Sequence, residues 1–274
     1  KTDFEIAISK SWSTTLGITQ VGRGDNFFLL GGNSLTATQM ISQIRKALNL
    51  EVPVKLIFKY PILKEFSLAV EKDKSTSFVL PPIKKMNQSI VPISSSQQRL
   101  WFMEQLLPEM SLYHIPVCFK IKGQLNTDAL EKALQDIVKR HEVLRCTIVV
   151  KNGVACQELI QTEFSIKSKY VSEAFFMNVI RSEIKEPFNF DKGPLFKCCF
   201  FRLNEEAHAL LLIFHHIIFD GWSTDVLIQE LNSLYNSYEK KQTSNLPELL
   251  VQYSDFTLWQ KTWLKGDVLN NQLL

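Results

Sequence analysis

Two short stretches carry residue types that do chemistry at fixed spacing. The first is His215-His216-Ile217-Ile218-Phe219-Asp220-Gly221. Imidazole titrates near neutral pH, so a histidine here can orient a nucleophile or exchange a proton with it. In extended backbone successive side chains face opposite ways, so only one of His215 and His216 reaches a common site. Asp220 is the natural partner of a buried cation, and Gly221 allows backbone or substrate to approach closely. The second stretch is Gly31-Gly32-Asn33-Ser34. Its glycines permit a tight turn and leave the following residue uncovered. Ser34 then opens a helix with its hydroxyl outward, where unpaired N–H groups and the helix dipole favour an esterified phosphate. The same serine also reads as a plain N-cap behind a glycine turn.

The elements that must hold these residues divide into two units. Residues 1–72 read as all helix. Phe4, Ile8, Trp12 and Leu16 mark one apolar face at i, i+4 spacing, and Ala37, Met40, Ile41, Ile44 and Leu48 mark a second. Between them lies a long loop, 17–33. Leu56 to Phe58 forms a short apolar turn. Pro61 opens a last helix lined by Ile62, Leu63, Phe66 and Val70, as proline suits a first helical position. Four such segments make a small bundle. Residues 73–90, rich in Ser and Lys with the pair Pro81-Pro82, read as an extended linker.

Residues 91–274 alternate. Strands are expected over 115–121, 146–150, 195–202 and 207–214, and helices over 127–141, 172–185 and 223–238. The two late strands read as a hairpin, which makes the pattern an α/β (α+β) sandwich with a mixed sheet. Strand 207–214 runs straight into the histidine pair, and Ser223 reads as the cap of the helix that follows.

Composition narrows the function classes. The chain has 274 residues, 45% hydrophobic and 22% charged, which suits a folded protein of about two domains. Its longest apolar run, Ala209 to Phe214, is far short of the roughly 18 residues a membrane span needs. Net charge is +3, with the excess scattered over the first quarter, which gives no footprint for nucleic acid. The five cysteines lack metal-ligand spacing and read as reduced thiols of a cytoplasmic protein; no metal site is expected. The opening KTDFEIAISK has no signal-peptide pattern and begins on a helix, as a piece of a longer polypeptide does.

The stretch Asp25 to Leu35, DNFFLLGGNSL, resembles the carrier-protein motif DxFFxxGGxSL. The resemblance implies that Ser34 carries 4′-phosphopantetheine, whose thiol holds an aminoacyl or peptidyl thioester. It further implies that Asp25, Phe27 and Phe28 pin the loop and that Leu35 belongs to a surface read by partners. Asn33 departs from the histidine frequent in carriers that feed condensation domains. The second unit resembles the condensation domains of nonribosomal peptide synthetases, on four stretches in order: SSSQQRLWFMEQL (94–106), RHEVLRCTI (140–148), HHIIFDGWS (215–223) and YSDFTLWQ (253–260). That implies a chloramphenicol-acetyltransferase-like lobe with His216 as the active-site histidine, His215 structural and Asp220 in a salt bridge that holds the loop. Arg145, Arg99 or an arginine outside the chain would supply the cation. SLYHIP (111–116) and WSTDVLIQEL (222–231) are more like domains that take an L-configured donor.

The implied reaction is attack of a downstream aminoacyl α-amine on an upstream acyl thioester. A free α-amine has a pKa of about 7.7–8.0, so roughly a tenth is already neutral at pH 7. His216 therefore serves by positioning the amine, by stabilising the zwitterion that follows attack, or by taking its proton. Implied partners are a phosphopantetheinyl transferase, an upstream adenylation domain, a downstream carrier protein and their thioester substrates. The family's domain has two lobes, of which residues 91–274 match the first, so this chain alone is expected to condense little. Ester formation, a fatty-acyl starter, and a non-catalytic docking fragment stand as alternatives.

Overall fold

The computed structural model describes residues 2–48, 50, 52–72, 81–107, 110–161, 164–166, 168–244 and 246–266. Contacts divide the chain at Pro82 and Ile83 into two units.

The first unit contains α1 (Asp3–Leu16), α2 (Ser34–Leu48), the short α3 (Lys55–Lys59) and α4 (Leu63–Lys72). Helix α1 opens on a capping box in which Thr2 and Glu5 satisfy each other's backbone N–H. The apolar faces converge on Trp12, fully buried, whose ring meets Phe27 edge-on at 5.2 Å and Phe66 at 6.2 Å. The expected apolar turn at 56–58 is helical, as α3. Pro61 does not open the last helix, which starts two residues later. Its carbonyl instead accepts the Phe27 N–H at 2.9 Å, and Ile62 bridges Asn26. This extended pair clasps the long loop, a use of backbone that no periodicity announces.

The second unit holds two sheets. One has the order β2–β7–β6–β5, with β2 (His114–Lys122), β5 (Ser168–Tyr170), β6 (Phe196–Arg202) and β7 (Ala207–His215). Strand β7 is antiparallel to both neighbours and buried from His208 onward, whereas β5 runs parallel to β6. The sheet is thus mixed, and β6–β7 is the expected hairpin. The other sheet has the order β1–β4–β3, from β1 (Ile90–Pro92), β3 (Cys146–Lys151) and β4 (Val154–Leu159). Helix α6 (Thr127–Arg140) buries Leu130, Ala133, Leu134, Ile137 and Val138, the face its spacing predicts. It packs on α8 (Gly221–Glu239), and α7 (Glu173–Lys185) lies between β5 and β6 in sequence.

Five elements that periodicity does not announce complete the unit: β1, β4, β5, α5 (Ser95–Leu106) and α9 (Tyr253–Trp263). Residues 73–80 of the expected linker lie outside the described residues. Of the remainder, Met86 donates its N–H to the buried Asp255 of α9 at 2.7 Å, and Ile90 already belongs to β1. Adjacent Cys198 and Cys199 alternate faces of β6, and burial pushes both thiols up to about 12.

Candidate functional site

In the first unit the 17–33 loop is shaped around Phe27. Asp25 accepts the Gly22 N–H at 2.7 Å, its carbonyl accepts the Leu63 N–H, and Phe28 stacks on Phe58 at 5.3 Å. The expected pins are therefore in place. Gly31 has φ +98°, a left-handed conformation, and a Cβ on Gly32 would fall 2.6 Å from the Phe27 carbonyl oxygen. Both glycines are required by the backbone. A Gly32→Ala change is expected to destabilise this unit by about 2 kcal/mol through overpacking against Phe27, read as a lower urea midpoint. An unchanged midpoint would show that the loop yields freely.

The turn ends at Asn33, whose Oδ1 accepts the N–H groups of Leu35 (2.9 Å) and Thr36 (3.0 Å), while Thr36 Oγ1 accepts the Asn33 N–H. Asn33 is thus the residue that caps α2, and the plain N-cap reading of Ser34 fails. Ser34 is exposed, and no hydrogen bond among the described residues uses its hydroxyl. The cap also consumes two N–H groups that were expected to be free for a phosphate, so the helix dipole is the principal remaining attraction. Leu35 is exposed beside it, as is Leu29.

In the second unit β7 ends at His215, which faces His114 of β2 in register, and His216 opens the turn that follows. The two side chains take opposite environments, but the turn makes the difference, since β7 itself is buried on both faces. His215 is fully buried and its ring meets Phe190 edge-on at 4.8 Å. Its Nδ1 accepts the Ile217 N–H at 3.0 Å. Burial, then the proximity of His114 and His216, pushes its pKa down to about 3, so the ring is neutral. His216 is exposed and lines an open cleft of about 550 Å³ with Arg99, Tyr113, Asp220, Tyr253 and Phe256.

The turn between them is fixed at several points. Tyr113 O accepts the His216 N–H at 2.8 Å, His215 O accepts the Ile218 N–H at 3.0 Å, and Phe219 stacks back on Phe214 at 3.9 Å. Gln97 donates Nε2–H to Ile217 O at 3.1 Å while its Oε1 accepts the Ser94 N–H. Ser94 in turn meets the Tyr253 hydroxyl at 2.9 Å, and Gln260 accepts the Ser95 N–H. The first and fourth stretches thereby lock the third.

The second stretch is held to α8. Arg140 Nε donates to Glu230 Oε1 at 3.0 Å, and His141 Nε2 lies 2.7 Å from Oε2. Burial raises the Glu230 pKa, but His141 and Arg140 outweigh it and the carboxyl is held below its ordinary value. Gln252 spans this stretch and the fourth, donating to Arg140 O and accepting the Glu142 N–H. Glu230, Gln97 and Gln252 carry no chemical signature in sequence. Only the Ser94-x-x-Gln97 capping box is legible there, and its long-range half is not.

Asp220 takes a local role. It is exposed, and among the described residues no salt bridge joins it to an arginine. Its Oδ1 accepts the Ser223 N–H (2.9 Å) and hydroxyl (2.7 Å), which makes it the N-cap of α8. Ser223 is the reciprocal third residue of that capping box and not the cap itself. Arg145 donates to Val138 O and Lys139 O, which turns its guanidinium toward the end of α6. Gly221 is the first residue of α8, and a Cβ there would meet nothing within 4 Å. Backbone does not approach it, so of the expected uses only substrate approach remains.

Because His215 is neutral when folded and titrates near 6.5 when unfolded, its contribution to stability is present above pH 6.5 and is lost as pH falls toward 3. The loss is up to about 1.4 kcal/mol per pH unit, or about 2 kcal/mol between pH 6.5 and 5. Urea unfolding at both pH values measures it. His215→Asn, which keeps an acceptor near Nδ1 but does not titrate, is expected to flatten that slope, and equal slopes would refute the assignment.

Residues 87–273 match the family described as "Condensation domain", and residues 7–70 match "Phosphopantetheine attachment site". A linear gramicidin synthase of Brevibacillus parabrevis is 37% identical over 282 residues, covering 98% of this chain and 4% of its own length. Gramicidin S synthase 2 of Brevibacillus brevis is 35% identical over 272 residues, covering 98% of this chain and 6% of its own length. This chain therefore spans a small part of these relatives. Among solved structures, the X-domain from teicoplanin biosynthesis aligns with a TM-score of 0.65 at 24% identity, over 70% of this chain and 44% of its own. The starter condensation domain of rhizomide synthetase RzmA aligns with a TM-score of 0.60 at 18% identity, over 65% of this chain and 45% of its own. These two show the fold. No helix among the described residues is long and apolar enough to cross a membrane. With a phosphopantetheine attachment site ahead of the α/β lobe that presents His216, this chain belongs to the condensation-domain family of nonribosomal peptide synthetases.

Proposed function

We propose that Ser34 carries the phosphopantetheine arm and that the His216 cleft forms a peptide bond between an acyl donor, L-configured, and the α-amine of a downstream aminoacyl thioester. When attached, the arm supplies the thiol whose thioester activates the acyl group. The residues present fit it: Ser34 offers an exposed, unengaged hydroxyl at a helix start, on a loop that Phe27 and the two glycines make rigid. A phosphopantetheinyl transferase, an adenylation domain upstream and a second carrier downstream are the partners this chemistry requires, in a reducing cytoplasm that keeps the thiol free.

The observation that carries the reading is the division between adjacent histidines. His215 is neutral, buried and committed to the turn; His216 is presented to an open cleft with its backbone held by Tyr113. A histidine so placed can orient an incoming amine, stabilise the zwitterion or accept its proton, while Gly221 leaves room for substrate beside it. Asp220 contributes by capping α8 and so fixing the far end of the turn. The matched part of the solved relatives is less than half of each, which supports a need for a second lobe to complete the cleft.

The test is a single-turnover assay in the synthetase that contains this chain, with an acyl group on its carrier and an aminoacyl carrier as acceptor. Peptide transfer to the acceptor is expected. Hydrolysis or ester formation without an amide product would refute the reaction, and efficient transfer by the 274-residue chain alone would refute the need for a second lobe.

A further inference from the structure

The ring of His215 is enclosed by Phe190, Phe188, Tyr113 and His114, with centroids between 4.8 and 6.1 Å away. Its Nδ1 accepts the Ile217 N–H, so that nitrogen carries no proton, and a neutral ring then bears its hydrogen on Nε2. A buried N–H needs an acceptor. The group that faces Nε2 is the Glu104 carboxylate of α5, with Oε2 at 3.4 Å. Glu104 is itself mostly buried, and burial raises its pKa. It is not among the residues that line the His216 cleft.

We propose that Glu104 is a positioning residue: by accepting from His215 Nε2–H it fixes the tautomer whose Nδ1 holds the Ile217 N–H, and so sets the turn that presents His216. The opposite tautomer would place two N–H groups against each other at Ile217 and leave the carboxylate facing a lone pair. Glu104 and the reacting histidine are 112 residues apart and linked through the buried His215 ring.

The tautomer is read directly. Long-range ¹H–¹⁵N correlation on the histidine-labelled chain is expected to show His215 as the pure Nε2–H form. An Nδ1–H form in the parent chain overturns the proposal without any variant. Glu104→Gln, which keeps an acceptor oxygen, is expected to retain the Nε2–H form, the His216 shifts and most of the condensation rate. Glu104→Met is expected to give mixed tautomers, altered His216 shifts and a drop in kcat of about tenfold or more in the full synthetase, with KM for the acceptor little changed. Equal losses in both variants, or Glu104→Met with an intact tautomer, would overturn it. The kinetic arm rests on His216 acting in condensation. A synthetase that does not condense refutes that reading, and the spectroscopic arm still decides the role of Glu104.

Discussion

A Ser34→Ala chain is expected to gain no mass with a phosphopantetheinyl transferase and coenzyme A, while the parent chain gains one arm per molecule. The reason lies in how the helix start is built. Asn33 satisfies the N–H groups of Leu35 and Thr36, so Ser34 is not needed to cap α2 and its exposed hydroxyl is left for chemistry. The neighbouring hydroxyls are occupied: Thr36 Oγ1 donates to Asn33 O, and Thr38 Oγ1 donates to Ser34 O. Loss of the Ser34 hydroxyl therefore removes the nucleophile without offering a substitute one turn later. Alanine is a good helix former and replaces no bond, so thermal unfolding of the variant is expected within about 0.5 kcal/mol of the parent. Arm addition to Ser34→Ala would place attachment elsewhere. A variant that fails to fold would show that Ser34 has a packing role the geometry does not give it.

Chemistry is legible in the sequence where a motif coincides with a local rule. Gly31 and Gly32 read as turn residues, and the structure supplies the reason: a positive φ at one, and Phe27 against the other. Alternation suggests opposite environments for His215 and His216, but β7 ends at His215 and is buried on both faces, so the turn that begins at His216 makes the separation. Helices α6 and α8 are readable because each has a single apolar stripe. Helix α5 is not, because polar and apolar residues are mixed around it: its most buried residue is Gln97, and Leu106 and Phe102 are exposed. Asp220 carries two readings. An aspartate near a histidine suggests a counter-ion, yet Asp-x-x-Ser is equally an N-cap signature, and at the start of a 19-residue helix the local hydrogen bonds form. The ties that hold the turn, Gln97 to Ile217, Glu104 to His215 and Gln252 to Arg140, each join residues more than 100 positions apart. No spacing rule reaches that far.

Replacing His216 by alanine is expected to lower single-turnover condensation by about 10² to 10⁴-fold if the imidazole takes a proton in the rate-limiting step. His216 is exposed, and the turn is held by its N–H to Tyr113 O and by Gln97 Nε2–H to Ile217 O, which the substitution leaves alone. Stability is therefore expected to change by less than about 0.5 kcal/mol, as for other surface positions. His215→Ala is expected to behave oppositely. It removes the acceptor of the Ile217 N–H and opens a void among aromatic rings, so unfolding shifts first and activity falls because the turn loosens. His216→Asn then separates proton transfer from the roles a hydrogen bond alone can serve, positioning the amine and stabilising the zwitterion. Asparagine holds an amine by a hydrogen bond but cannot accept its proton at neutral pH, and about a tenth of the amine is already neutral there. A rate near that of the parent assigns His216 to those hydrogen-bonding roles; a loss as deep as in His216→Ala assigns it to proton transfer. Loss of less than about tenfold in His216→Ala itself, below the usual range for general acid–base catalysis, would exclude proton transfer by His216 and favour positioning.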